Sequence, residues 1–422
     1  MRAKVFLIIS ICITLSFPFI TEARELSIQQ LEERKKADQE RKKKREKRGK
    51  KKFQKEITLT TDIVFVSKER EMPPVLSNLD PILEDEGFYG VKLAIEDNLT
   101  TGRFLGHDYK IEFHRILLEE NLETEFQKLL QKGKKFFVVD LNEDELLSLM
   151  QIPEIDDVLI FNVRAKNDSL RNENCRKNFF HIPPSYSILS DALTQYLVKK
   201  KWKKWFLVTG PDKNDQIYSK ALKSSAKKFN VKIKEEKIWD FTADLRRTAG
   251  KEVPIFTKGS NYDVLVVADE DGEFGEYLAY RTWDPRPIVG TQGLKPNSWH
   301  RTHEQWGATQ MQNRFRRESG RWMTEVDYHA WTAIRAIGET ISRTQTNDVD
   351  EVQKYLLGEK FGLGAYKGVK VSFRSWNGQL RQPVLLAAPR SMVSVSPQEG
   401  YIHPISELDT MGKDQPESTC KF

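Results

Sequence analysis

Apolar positions along this chain follow two rhythms. Short, nearly continuous apolar runs alternate with longer stretches whose apolar residues recur three and four apart. Ile57–Val66 (ITLTTDIVFV) is rich in β-branched residues and ends in the run Ile63–Val66, which predicts a buried strand. Pro73, Pro74 and Pro81 then stop both strand and helix. Phe88, Val91, Ala94 and Ile95 predict a helix by their spacing, and Tyr109–Ile116 a second strand. A strand–helix–strand unit of this length implies a parallel pair with a right-handed crossover. The loop Ser67–Gly87 then lies at a carboxyl edge of the sheet, where ligand loops sit.

The same alternation continues. A helix over Thr124–Lys132, a strand at Phe136–Asp140, a helix over Glu143–Met150 and a strand at Val158–Val163 are predicted. Arg164–Pro184 has no period and reads as a connection. A second series follows: helix Tyr186–Trp202 capped by Ser185 or Ser187, strand Trp205–Val208, helix Asp215–Phe229, strand Val231–Trp239, strand Asp263–Ala268, helix Phe274–Thr282 and strand Pro287–Thr291. Trp299–Thr344 reads as mostly helical, and Val349–Leu357 as one more helix. In the tail, VKVSF, a turn at Asn377-Gly378 and PVLLAA predict one antiparallel hairpin. No repeat at solenoid periods is visible.

This order specifies an α/β protein with two doubly wound parallel-sheet lobes, a length of 422 residues being too great for one ordinary core. The expected boundaries are 57–183 for the first lobe, with about 300–345 returning to it. The second lobe takes 184–299, with about 346–422 partly returning to it.

Net positive charge is concentrated at one end of the chain. The chain carries +7, but Arg24–Glu56 holds 15 Lys+Arg against 7 Asp+Glu, a local +8. With +1 from residues 1–23, residues 57–422 are left at −2. The body therefore has no electrostatic case for nucleic acid. The arm at 24–56 has almost no apolar residues after Leu31 and reads as a solvated helix or disordered spacer. Its functional reading is contact with anionic lipid headgroups or an acidic partner. Residues 1–23 read as a cleavable secretion signal: Arg2 and Lys4, then VFLIISICITLSFPFI, then Thr21-Glu22-Ala23. The alternative is an uncleaved anchor, and export to a periplasm is expected on the first reading. Cys12 leaves with the signal, so Cys175 and Cys420 form a disulfide candidate in an oxidising compartment, with two free thiols as the alternative.

Catalytic signatures are missing: there is no G-x-S-x-G, Walker A or H-E-x-x-H sequence, and no cofactor is expected. His300 and His303 are spaced for one helical face, but no further ligands accompany them, and solvated loop histidines are the plainer reading. Asp269-Glu270-Asp271-Gly272 follows a strand, where acidic residues serve either a hard cation or the backbone of a turn. No metal is expected. Ligand contacts are instead expected from strand-end loops of both lobes: Asp80, Asp85, Asn162, Arg164, Tyr186, Asp212, Asp269 and Trp306. Backbone N–H groups at the helix starts near Asp85 and Tyr186 suit an anionic group, and Arg164 a carboxylate. Tyr186 and Trp306 suit a planar or apolar part.

The segments EGFYGVKLAIEDNLTTGRFLGHDYKIEF and FGLGAYKGVKVSFRSWNGQLRQPVLL resemble the first helix with second strand, and the closing segment, of type 1 periplasmic binding proteins of the branched-chain amino-acid kind. PPVLSNLDP, LRNENCRKNFFHIPPS, RTWDPRPIVGTQGL and PESTC resemble one subfamily, the ABC-transporter substrate-binding protein found with PQQ-dependent alcohol dehydrogenase systems. The resemblance runs from about Ile57 to the C-terminus and leaves the basic arm outside. It implies two lobes joined by three hinge crossovers, a solute in the cleft, and ABC membrane subunits as partners. It also implies a setting of periplasmic alcohol oxidation, with PQQ and calcium or a lanthanide on the partner enzyme rather than on this chain. The amino-acid binders use a Ser/Thr-rich loop in the first lobe. LSNLDP and FNVRA stand in those places here, so the resemblance carries no amino-acid ligand over.

The expected function is non-enzymatic binding of a small solute for an ABC transport system. The alternative is an accessory or assembly protein for the dehydrogenase that reuses the fold for protein contact.

Overall fold

The structure, a computed structural model, describes residues 55–71, 82–240, 245–259 and 261–422. The expected signal segment and nearly all of the basic arm lie outside the described residues. Two compact units are distinguished: 1–57 with 103–106, and 58–102 with 107–422. In the first, the Lys55 N–H donates to the Arg103 carbonyl. The second carries both parallel sheets.

The first series comprises β1 (Leu59–Lys68), α1 (Phe88–Leu105), β2 (His107–Ile116), α2 (Leu122–Gln131), β3 (Phe136–Asp140), α3 (Glu143–Leu149), β4 (Leu159–Asn162) and β5 (Phe179–His181). Its five strands are all parallel, in the order β2-β1-β3-β4-β5. Every residue of β3 and β4 is buried, so the sheet is covered on both faces. One face packs Ile63, Val138 and Phe161 against Val91 and Ala94 of α1. The other packs Val64, Phe137 and Ile160 against Phe126 and Leu146 of α2 and α3.

The second series comprises α4 (Tyr186–Lys199), β6 (Lys204–Thr209), α5 (Lys213–Lys228), β7 (Lys232–Ile238), α6 (Leu245–Thr257), β8 (Val264–Ala268), α7 (Gly275–Leu278) and β9 (Ile288–Gly290). Its parallel sheet has the order β7-β6-β8-β9. In both sheets the order reverses beside the first strand, which is the doubly wound pattern.

The remainder is β10 (Lys295–Asn297), α8 (Ala308–Ser319), α9 (Glu325–Thr344), α10 (Val349–Leu356), β11 (Leu363–Gly364), β12 (Lys370–Phe373), β13 (Leu380–Arg381), β14 (Val384–Ala388) and β15 (Ser391–Ser396). From Trp299 to Leu380 its buried residues join the core of the first sheet, whereas Val384, Leu386 and Met411 join that of the second. The chain thus passes between cores three times: after Ile182, after Ser298 and after Gln382. Buried side chains fasten these passages. Gln379 Nε2 donates to the carbonyls of His181 and Pro183, and Gln382 Nε2 to that of Ile182. Arg171 donates to Ala165, Pro183 and Gln379, and Lys367 to the carbonyls of Ser298 and Pro383.

Cys175 and Cys420 are bonded, their Cα atoms 5.7 Å apart across 245 residues of sequence. This joins the tail, which packs Met411 on the second core, to a loop of the first sheet.

Three sequence expectations are corrected. The tail is not one hairpin. Asn377-Gly378 does turn β12 into β13, but PVLLAA lies between β10 and β15 in another sheet. Its run Val384–Ala387 is buried throughout, as befits a central strand. Second, His300 and His303 lie in a turn, the His303 N–H donating to the His300 carbonyl. His303 is not solvated: its ring packs 5.4 Å from that of Trp299, and Nε2 lies 2.7 Å from the Tyr366 carbonyl. Third, the unperiodic stretch 164–184 contains β5, too short at three residues to show a period.

Candidate functional site

Strands of both sheets deliver their carboxyl ends to one cleft. At the end of β3, Asp140 receives two guanidinium groups. Arg70 donates to Asp140 Oδ1 at 3.2 Å, and Arg164 grips the same carboxylate through Nε and, at 3.1 Å, through Nη2. Arg164 also reaches Glu86 at 2.7 Å. Burial alone would raise the Asp140 carboxyl. Arg164 and then Arg70 overcome it and hold Asp140 below the ordinary carboxylate range. Arg164 is therefore committed to the chain's own acids.

Asn162, at the end of β4, organises the next loop. Its Oδ1 accepts the N–H groups of Arg164 and Ala165, and its Nδ2 donates to the Ala165 carbonyl. That turn aims Lys166 at the second lobe. Lys166 Nζ lies 3.0 Å from Glu270 Oε2, and the Tyr186 hydroxyl donates to the same oxygen at 3.2 Å. Burial works against the Lys166 ammonium, but Glu270 and then Glu325 raise it above its ordinary value.

In the acidic turn after β8, Gly272 takes φ +75°, and Asp269 accepts the N–H groups of Glu273, Phe274 and Gly275. Here the acid serves the backbone. Asp215 beneath the turn accepts the Glu270 N–H at 2.6 Å. Burial pushes its carboxyl up to about 7, Asp269 and Asp271 adding to the shift and its backbone bonds opposing it.

Glu325 opens α9 on the first-lobe side. Its Oε1 accepts both the N–H of Ser298, at 2.5 Å, and the Ser298 hydroxyl, at 2.7 Å. The same hydroxyl lies 2.6 Å from His329 Nε2, so one proton faces two acceptors. Burial keeps His329 neutral, its pKa down at about 4.

Between these groups is a cavity of about 170 Å³, lined among others by Lys166, Glu270, Gln292, Lys295, Asn297 and Glu325. Asp269 also lines it. The other expected contacts are placed elsewhere or reach it indirectly. Tyr186 touches it through Glu270, and Asn162 through the aim of Lys166. Asp212 stands at the cap position of α5. Trp306 packs against His303 and Gly368, outside the cavity lining. Asp85 is bound by Arg321 at 2.9 Å, and Asp80 lies outside the described residues.

Neither expected helix start offers its N–H groups to a ligand. The Gly87 N–H donates to Asp327 at 2.8 Å, and the Ser187 N–H to Asp168 at 3.0 Å. In each case the chain supplies the anion that a helix N-terminus favours. Sequence reading missed Lys166, Lys295 and Glu325. Only the pairing of β10 with β14, across ninety residues, brings Lys295 to the cleft. Among the described residues, no group of three acidic, histidine or cysteine side chains is placed to hold a metal ion, and no helix is long and apolar enough to cross a membrane.

A family profile described as "Periplasmic binding protein" matches residues 89–246. No curated protein sequence matches significantly. Solved structures are similar over most of their length. A periplasmic binding protein from Burkholderia mallei is 16% identical, with a TM-score of 0.62 over 86% of this chain and 98% of that one. A branched chain amino acid ABC transporter periplasmic ligand-binding protein from Burkholderia xenovorans is 14% identical, with a TM-score of 0.63 over 79% and 95%. The branched-chain amino acid transporter substrate binding protein LivJ from Streptococcus pneumoniae, in complex with isoleucine, is 15% identical, with a TM-score of 0.58 over 80% and 98%. At such identities the likeness speaks for architecture: this chain has the type 1 periplasmic binding protein fold.

Proposed function

We propose that the chain is the periplasmic substrate-binding component of an ABC transport system, holding a small polar solute between its lobes. The observation that carries this reading is the cavity at the carboxyl ends of both sheets, lined by polar groups of both lobes. The relatives named above, one of them holding isoleucine, support it. Ligand would act by favouring the closed arrangement over an open one. The finer reading, that the system serves PQQ-dependent alcohol oxidation, rests on the four subfamily-like segments quoted above. Export rests on the apolar leader at 1–23. The test is native mass spectrometry of protein purified from its own periplasm. A stoichiometric small molecule lost on denaturation is expected, and an empty protein would remove the reading.

One observation favours a second reading, an accessory role through protein contact. The cleft is already bridged by Lys166–Glu270 and by Lys213–Asp144 at 2.8 Å, so it closes on the chain's own charges. On that reading, deleting residues 24–55 abolishes co-purification with a periplasmic partner; retention of the partner would count against it.

A further inference from the structure

We propose that the interlobe cavity takes a small carboxylate without an ammonium group, its charge received by Lys295. This rests on the solute-binding reading and names the solute's class.

The charged groups of the cavity differ in which of them already have partners. Lys166 is already paired with Glu270, so the place beside Glu270 that an α-ammonium would seek holds a cation of the chain. Glu270 also accepts the Tyr186 hydroxyl. Both oxygens of Asp269 are taken by backbone N–H groups. Glu325 is held by Ser298 and faces Lys166. Lys295 differs from all of these. It lines the cavity, and among the described residues its Nζ has no hydrogen bond and no ion pair. Its surroundings are acidic, with Glu270, Asp269 and Glu325 near enough to favour its charge but none in contact. Burial and Lys166 oppose that charge. An incoming carboxylate would give this partly exposed ammonium the direct partner it lacks.

Size and polarity narrow the class. The cavity of about 170 Å³ has room for roughly six waters at about 30 Å³ each, which suits a solute of comparable atom count. Three carboxylates in the lining make a doubly charged anion unwelcome. The Gln292 amide has no hydrogen bond among the described residues. Asn297 uses its Nδ2 on the Lys295 carbonyl and leaves its Oδ1 open. The Gln292 amide is suited to an oxygen of the solute, and the open Asn297 Oδ1 to a hydroxyl proton. A short hydroxycarboxylate supplies both.

The test is calorimetric titration of the full chain with glycolate and lactate, with 1,2-propanediol as the neutral counterpart and alanine as the zwitterion. Wild type, Lys295→Met and Lys295→Arg are compared, their folding checked by circular dichroism. Lactate or glycolate is expected to bind, the diol and alanine not. Lys295→Met should weaken binding about 10–150-fold, the range for one hydrogen bond to a charged group, and Lys295→Arg should restore part of it. Binding of the diol or alanine in preference, or unchanged carboxylate binding in Lys295→Met, overturns the carboxylate assignment and leaves the cleft a solute site. Failure of all four probes also overturns it. Native mass spectrometry then separates the two cases: a different bound molecule keeps the solute-binding reading, and an empty protein ends both. Should Lys295→Met not fold, competition of lactate with the natively bound molecule decides the same question on wild type.

Discussion

Breaking the Lys166–Glu270 pair should open the cleft. Two unit charges 3.0 Å apart attract by roughly 5–6 kcal/mol at an effective dielectric constant of about 20. Desolvation cancels much of this. The side chains are 28% and 13% exposed, so the pair lies between the exposed class, worth at most about 1 kcal/mol, and the buried class, where removing one partner costs about 3–5. A net of about 1–3 kcal/mol in favour of the closed arrangement follows. At 1.4 kcal/mol per factor of ten, Glu270→Gln should lower the closed-to-open ratio about 5- to 150-fold. It also leaves the Lys166 ammonium half-buried without a partner. The double variant Lys166→Met, Glu270→Gln removes that stranded charge and should be less open than Glu270→Gln alone. The assay is a double-mutant cycle read by small-angle scattering and by single-molecule distances between dyes on the exposed faces of α2 and α5. Additive effects, with a coupling below about 0.3 kcal/mol, would refute the claim that this pair holds the lobes together.

Four further outcomes are expected. Gly90 lies where α1 crosses α9, and a Cβ there would overlap the Asp327 carbonyl, so Gly90→Ala should destabilise by about 1–3 kcal/mol in urea unfolding despite the higher helix propensity of alanine. Reducing Cys175–Cys420 should cost about 2–4 kcal/mol, visible as a lower Tm in reductant that a Cys175→Ser, Cys420→Ser variant reproduces without reductant. Burial pushes the Lys367 amine down to about 7, against Glu325, while the unfolded value is 10.5; between these the unfolded chain holds more protons, so stability rises with pH across that window, and Lys367→Met should lose that rise in melts from pH 7 to 9. Asp215 has the opposite sign. Its folded value of about 7 exceeds the unfolded 3.8, so the folded chain holds more protons between them, stability falls as pH rises through that range, and the Tm of Asp215→Asn relative to wild type should be more favourable at pH 8 than at pH 5.

Much of the fold was legible because parallel strands announce themselves. Phe136–Asp140 and Val264–Ala268 are buried on both faces, so they appear as unbroken apolar runs, and a helix such as α2 carries one apolar stripe of Leu122, Phe126 and Leu129. The elements that misled are those whose burial comes from distant chain. Val384–Ala387 reads like any strand after a turn, and nothing local says that its neighbours are Lys295–Asn297 and Ser391–Ser396. His303 looks like a solvated histidine because the residues that bury it include Tyr366, sixty-three positions away.

The site was less legible, for a reason that concerns charge. Strand ends could be located, and with them the loops at Asn162 and Asp269. Which polar group in a loop is spent on the chain itself could not. Arg164 looked like a carboxylate receptor, and it is one, but the carboxylates are Asp140 and Glu86. The helix starts looked like anion sites, and they are, for Asp327 and Asp168. In each case the chemistry read from the residue was right and the partner was supplied by the fold. A charge drawn partly out of water gains from a direct partner, so the group that points to a ligand is the one the fold leaves over. At this cleft that group is Lys295. It is identifiable only after Lys166, Arg164 and the surrounding acids have been assigned their partners, an account that requires contacts spanning both lobes and three passages of the chain.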